Sequence, residues 1–322
     1  MSRKALLIGI DQYDIFRPLS GCVADATKLG ELLAGNEDGS TNYDCRVLTS
    51  AGPPAVTRAT LRTEWRNLFQ NFDGDALFYF SGHGFPSDTG GFLVTKDGTS
   101  VEPGLPMSEL VQMANQSSAR EVLIILDCCF AGDIGSIPYA QWPGGSPFVQ
   151  LRQGITIISA AGSKEYAKEE GGHGVFTSLM LQALAGGAAD PRGLVSAAAV
   201  YAYVEQVLGP WDQRPLYKSY ANVLGPVRRC KPRVTDAEIR KLPNLFPLPE
   251  MLYELDRTYE YTDESADPKH VEIYNWFKRY RDAGMLRTVD GDDLYFAAMK
   301  SGQVELTLLG KFYWWLASKR RI

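Results

Sequence analysis

The chain is 322 residues long, with 45% apolar and 22% charged side chains, 16 Tyr, 14 Phe and 6 Trp. Such a composition builds one or two packed domains and excludes a disordered or fibrous polypeptide. No apolar run approaches the ~18 residues of a membrane span, and the first residues do not read as a signal peptide. A net charge of −5 offers no chain-wide basic field for nucleic acid. The five cysteines, with Cys128 and Cys129 adjacent, make a poor disulfide framework, so a reducing, cytoplasmic setting is expected.

Residues 4–10 form an apolar run that reads as a buried strand, and residues 24–33 carry helical spacing at Ala26, Leu29, Leu32 and Leu33. Strands are predicted next at 46–49, 75–81, 121–127 and 155–161. Helices are predicted between or after them at 60–69, 108–114 and 175–184. Short apolar strands alternating with helices predict an α/β fold, with a mostly parallel sheet flanked by helices on both faces. Ligands of such sheets lie beyond the carboxyl ends of the strands, which directs attention to the residues just after Phe80, Leu126 and Ser159.

Composition changes after Leu224. Residues 225–232 and 243–249 are proline-rich and predict a linker or extended strap, with the domain boundary between 226 and 227. Beyond it, 271–281 reads as an amphipathic helix stopped by Gly284. Residues 287–299 hold Asp290-Gly291 between β-favouring residues, a hairpin signal, and Thr307 opens a last helix. Helix, hairpin and helix predict a small winged-helix-like α+β module over 227–322.

Two strand ends carry chemistry. Ser81-Gly82-His83-Gly84 follows the strand ending at Phe80, and Asp127-Cys128-Cys129 follows the strand ending at Leu126. If these strands are neighbours in a parallel sheet, an imidazole and a thiol meet at one edge. A thiol attacks only as thiolate, and an adjacent imidazole can take its proton.

The segments ALLIGIDQYD, LSGCVADA, ALFYFSGHG, VLIILDCCFAGD, ITIISAAG and GVFTSLML, in this order, resemble the caspase-like cysteine peptidases, specifically their metacaspase and prokaryotic orthocaspase branch. A His about 50 residues upstream of the Cys is also the caspase spacing. Against the family pattern D-[SC]-C-H-S-G the nucleophile falls on Cys129, with Cys128 in the variable place; Phe130-Ala131 departs from His-Ser. The resemblance implies a peptidase domain over 1–226 with His83 and Cys129 catalytic and an oxyanion hole from the amides of Gly84 and Cys129. It implies an acidic S1 pocket from Cys22, Asp25, Ser81 and Asp127. Two carboxylates in one pocket suit a guanidinium with its five donors, so the expected substrate is a protein or peptide with Arg or Lys at P1. The bland reading is that Asp25 caps or solvates its helix and Asp127 bonds the following turn.

No cofactor is expected. Many metacaspases need Ca²⁺, but only Asp97 and Asp133 stand near plausible places, with Ser136 where another carboxylate belongs, too few for a hard cation. In the last 92 residues basic and acidic side chains balance, and the last helix carries Phe312, Tyr313, Trp314 and Trp315 in place of a basic face. These aromatics either fill the module's own small core or meet a partner, and the module reads as a docking or regulatory appendage for a protein partner, not for nucleic acid or a membrane. The expected activity is that of a regulated bacterial effector protease. The rival readings are a catalytically silent caspase-like scaffold and a nucleic-acid-binding regulator led by the C-terminal module.

Overall fold

The computed structural model describes residues 2–86, 91–128, 151–160, 169–170, 173–208, 214–221 and 225–322. The chain divides into two compact units, Met1–Ala189 with Leu194–Cys230, and Asp190–Gly193 with Lys231–Ile322.

The first unit runs β1 (Arg3–Gly9), α1 (Cys22–Ala34), β2 (Asp44–Thr49), α2 (Arg58–Phe69), β3 (Asp75–Ser81), β4 (Gly84–Phe85), β5 (Phe92–Val94) and β6 (Gly104–Pro106). It continues with α3 (Met107–Gln116), β7 (Glu121–Asp127), β8 (Ile155–Ser159), β9 (Glu169–Glu170), β10 (His173–Gly174), α4 (Val175–Gln182), β11 (Leu194–Val195), α5 (Ala197–Leu208), β12 (Leu216–Tyr220) and β13 (Arg228–Arg229). The six-stranded sheet has the order β12-β8-β7-β3-β1-β2. All its pairings are parallel except β12 against β8.

The apolar runs form strands because both sheet faces are covered. Leu6, Ile8, Phe78, Phe80, Ile124 and Leu126 pack with Trp65 of α2 and Leu110 of α3. Leu7, Leu77, Tyr79 and Ile125 face the other way, onto Leu29 of α1, Met180 of α4 and Val204 of α5. Period-two alternation thus sorts the strand ends as well. Odd-numbered Ser81 and Asp127 follow the α1/α4 face, whereas Cys128 joins the α2/α3 face.

Of the stretches expected to be a linker or extended strap, residues 225–232 include an anchored segment. β13 pairs with β11, and Arg228, 8% exposed, donates to the carbonyls of Leu32, Gly35 and Leu184. Backbone carbonyls at the ends of α1 and α4 are orphans that need donors, and this guanidinium supplies several. Arg228→Ala is expected to destabilise the protein by about 3 kcal/mol, because buried acceptors would lose their donors. Chemical denaturation would measure it; an unchanged midpoint would refute the clamp.

The second unit is α+β. It comprises α6 (Asp236–Ile239), α7 (Leu242–Leu245), β14 (Tyr253–Glu254), α8 (Pro268–Asp282), β15 (Leu286–Thr288), α9 (Leu294–Met299), β16 (Gln303–Leu306) and α10 (Leu308–Ser318). A three-stranded antiparallel sheet has the order β14-β16-β15, over a core of Tyr274, Phe277, Tyr280 and Val304. The hairpin predicted over 287–299 is not one. Gly291 turns the chain at φ +75°, but Asp293 then caps α9 by accepting from Tyr295 N–H, so the partner of β15 comes only at β16. Of the four consecutive aromatics, Tyr313 is buried while Phe312 and Trp315 are 54% and 39% exposed.

Candidate active site

β3 and β7 are direct neighbours, with Ser81 opposite Asp127, and Gly9 of β1 stands opposite Ser81. Gly9, Ser81 and Asp127 therefore form one row at the carboxyl end of the sheet. α1 starts directly over this row. A Cβ at Gly9 would lie 2.2 Å from the Cys22 carbonyl oxygen, so only glycine admits the helix so close.

The N-terminus of α1 is capped by Asp11, whose carboxylate accepts from the N–H groups of Cys22 at 2.8 Å and Val23 at 3.4 Å. Asp25 is thereby left for another task. It sits in the first turn, 1% exposed, and accepts from Gly174 N–H at 3.0 Å. Asp127, 5% exposed, accepts from Thr177 Oγ1 at 2.6 Å. Thr177 has a single hydroxyl proton and gives it to Asp127, so at 2.7 Å it accepts from Tyr79 O–H. Burial, together with Asp127 and Asp25, raises the Tyr79 phenol well above its ordinary value, so it stays a neutral donor.

The two carboxylates converge on Gly174. A Cβ there would stand 2.4 Å from Asp127 Oδ2 and 3.2 Å from Asp25 Oδ2. The structure thus places Cys22, Asp25, Ser81 and Asp127 at the same end of the sheet. Asp11 caps α1, and Asp127 reaches across to Thr177 of α4.

His83 lies two residues beyond Ser81 at the same edge, and Gly84 opens β4. The His83 imidazole is half-buried. Its Nε2 lies 2.8 Å from the Arg17 carbonyl oxygen, which can only accept, so Nε2 carries the proton. The ring of Tyr13 is 4.9 Å away and that of Phe16 6.3 Å. The Tyr13 hydroxyl accepts from the His83 backbone N–H at 2.8 Å. Asp11, Tyr13, the Arg17 carbonyl, Gly174 and Thr177 were all missing from the sequence-based site. Asp11 and Tyr13 had a visible signal as polar residues after a buried strand, and Gly174 and Thr177 lie in the matched segment GVFTSLML; the Arg17 carbonyl had none.

Cys129, expected as nucleophile and oxyanion donor, lies outside the described residues, as do Asp133 and Ser136. Cys128 is 1% exposed in the α2/α3 core. Burial pushes the Cys45 thiol up to about 11 and raises that of Cys230. These thiols are poorly suited to nucleophilic attack.

Of the residues weighed for Ca²⁺, only Asp97 lies among the described residues. Among them no three His, Cys, Asp or Glu side chains cluster to hold a metal. Asp97 is committed to its neighbours. Burial alone would raise its carboxyl, but hydrogen bonds from Thr95 and from Arg58 outweigh this and hold it below the ordinary carboxylate value. Among the described residues no helix is long and apolar enough to cross a membrane.

The model of the caspase domain, peptidase family C14, matches residues 2–222. No curated protein matches the chain. Among solved structures, protein GSU0716 from Geobacter sulfurreducens aligns with a TM-score of 0.54 and 17% identity, over 72% of this chain and 100% of that one. Pro-Sf-caspase-1 aligns with a TM-score of 0.47 and 14% identity, over 71% and 91%. The first of these shares the fold of the larger unit, a six-stranded, mostly parallel sheet between helices. By its sequence match over two thirds of its length, the chain belongs to the caspase-domain family of cysteine peptidases.

Proposed function

We propose that the chain is an endopeptidase of metacaspase type that cleaves after Arg or Lys, with Cys129 as nucleophile and His83 as its base. The observation that carries this reading is the convergence of two buried carboxylates, Asp25 and Asp127, at the sheet edge that bears a tautomerically fixed imidazole. A long basic side chain entering that edge meets paired acceptors, and its scissile carbonyl is held within reach of the imidazole end of the site.

With Nε2–H given to the Arg17 carbonyl, Nδ1 of His83 holds the lone pair that takes the Cys129 thiol proton. The thiolate attacks the P1 carbonyl carbon, and the C=O π pair moves onto oxygen. The resulting oxyanion is received by the N–H groups of Gly84 and Cys129. Collapse breaks the C–N bond, and the imidazolium gives its proton to the departing amine. A water, deprotonated by the same nitrogen, then hydrolyses the thioester and restores the thiol.

The test is cleavage of peptides with Arg, Lys or Asp at P1, with Cys129→Ala as control. Turnover confined to the basic peptides supports the reading. Absence of any turnover favours a silent scaffold.

Charge also sets where the enzyme can cut itself. Residues 130–150, directly after Cys129, contain no Lys or Arg. Arg152 beyond them is clamped by the carbonyls of Ala114 and Ala119 and the Ser117 hydroxyl, and Arg228 is buried. We expect activity as a single uncut chain, with autolysis confined to Lys164, Lys168 or the exposed Arg229, Lys231, Arg233 and Arg240. Intact-mass measurement of the active protein checks this; an obligatory cut within 130–150 would overturn both the processing claim and the basic P1 preference.

A further inference from the structure

We propose that Tyr13 is the positioning residue of the His83 imidazole, gripping it both through its main-chain N–H and against its ring. The proposal rests on the reading of His83 as the base. Among the described residues, two of the bonds that hold His83 come from one short segment. The Tyr13 hydroxyl accepts the His83 N–H at 2.8 Å, the Arg17 carbonyl accepts from Nε2 at 2.8 Å, and Val94 N–H donates to the His83 carbonyl at 3.0 Å. The Tyr13 ring also lies against the imidazole, tilted by 42° with centroids 4.9 Å apart.

That segment is itself tied down. Ile10 N–H donates to the Ser81 carbonyl, Leu19 N–H to the Asp11 carbonyl and Asp14 N–H to the Lys96 carbonyl. Lys96 Nζ pairs with the Asp14 carboxylate at 2.6 Å. A side chain anchored at both ends of its loop can transmit that rigidity to the residue it touches. The backbone has made room for the contact, since a Cβ at Gly82 would stand 2.7 Å from the Tyr13 hydroxyl oxygen. Gly82 therefore lets the phenol reach the His83 N–H. Part of the Tyr13 ring faces solvent, but its hydroxyl end is desolvated near Cys22, Cys128 and Asp11. Burial raises the phenol well above its ordinary value and keeps it neutral.

The competing explanation is that Tyr13 only fills space, since its ring packs on the α2/α3 core. The two differ in what they do to the proton. A positioning residue sets the alignment of Nδ1 with the thiol, and so the pH at which the thiolate forms. A packing residue alters stability alone.

The test uses the full chain. The iodoacetamide reaction of Cys129 is followed against pH by mass spectrometry of the peptide that carries it, alongside steady-state kinetics on an Arg peptide. For Tyr13→Phe, which keeps the ring, we expect kcat to fall about tenfold with KM little changed. The alkylation midpoint should rise by about half a pH unit or more as the thiolate loses its aligned partner. Gly82→Ala, which pushes the phenol away, should move the midpoint in the same direction. If the parent protein alkylates only in the ordinary thiol range, the His83–Cys129 reading itself falls, whatever Tyr13 does. A low parental midpoint that Tyr13→Phe leaves unchanged, with kcat intact and only Tm lowered, would make Tyr13 a packing residue and overturn the proposal.

Discussion

Cys129→Ala and His83→Ala are each expected to lower peptidase turnover by at least ~10³-fold while the protein stays folded. His83 is not a keystone of the core: it is half-buried at a strand end, and the sheet beneath it is held by the Phe78, Phe80 and Trp65 cluster. The loss is chemical. Without the thiol there is no covalent step, and without the imidazole the thiol stays protonated at neutral pH. Cys128→Ala should behave in the opposite way. Its side chain is 1% exposed among core residues, so truncation leaves a small void and costs about 1 kcal/mol, with most turnover kept. Circular dichroism melts beside peptide hydrolysis separate the two outcomes. Full turnover in Cys129→Ala would remove the nucleophile assignment.

Much of this architecture was legible because both sheet faces are buried, so the strands announce themselves as unbroken apolar runs. The runs around Ile8, Phe78 and Ile124 were found this way. The signal failed where burial is one-sided or side chains are small. β12 is the antiparallel edge strand, and its Leu216, Tyr217 and Lys218 are only half-buried. α5 begins with three alanines, which carry little periodicity. The segment after Asp290-Gly291 misled because a turn signal fixes the turn but not the element after it. There the Asp293 cap decided for a helix. At the site, the carboxylates and imidazole were readable as residue types. The Arg17 carbonyl was not, because any residue supplies a carbonyl and only the path of the loop makes it an acceptor for Nε2–H.

Asp25→Ala and Asp127→Ala should each lower kcat/KM for Arg substrates by at least tenfold, with little effect on a substrate whose P1 side chain is uncharged. A charge-assisted hydrogen bond to a desolvated partner is worth ~1.5–3 kcal/mol, and ~1.4 kcal/mol corresponds to a factor of ten. The two sites should not be equivalent. Asp127 is oriented by the Tyr79–Thr177 relay and Asp25 by the Gly174 N–H, so each carboxylate has its own support and each loss is felt separately. Removing one of two neighbouring buried carboxylates also relieves their mutual repulsion, so a drop in activity should not be accompanied by a large drop in Tm. Gly174→Ala provides a third arm that leaves both charges in place. Its methyl would stand against Asp127 Oδ2 and crowd Asp25 Oδ2, filling the space a guanidinium needs, so Arg cleavage should fall while the acidic pair survives. Lys substrates, whose ammonium is smaller than a guanidinium, should suffer less from that methyl than Arg substrates. Equal cleavage of Arg and Asp peptides by the parent enzyme would refute an acidic pocket. Unchanged Arg cleavage in both Asp→Ala variants would move the specificity site away from this edge of the sheet.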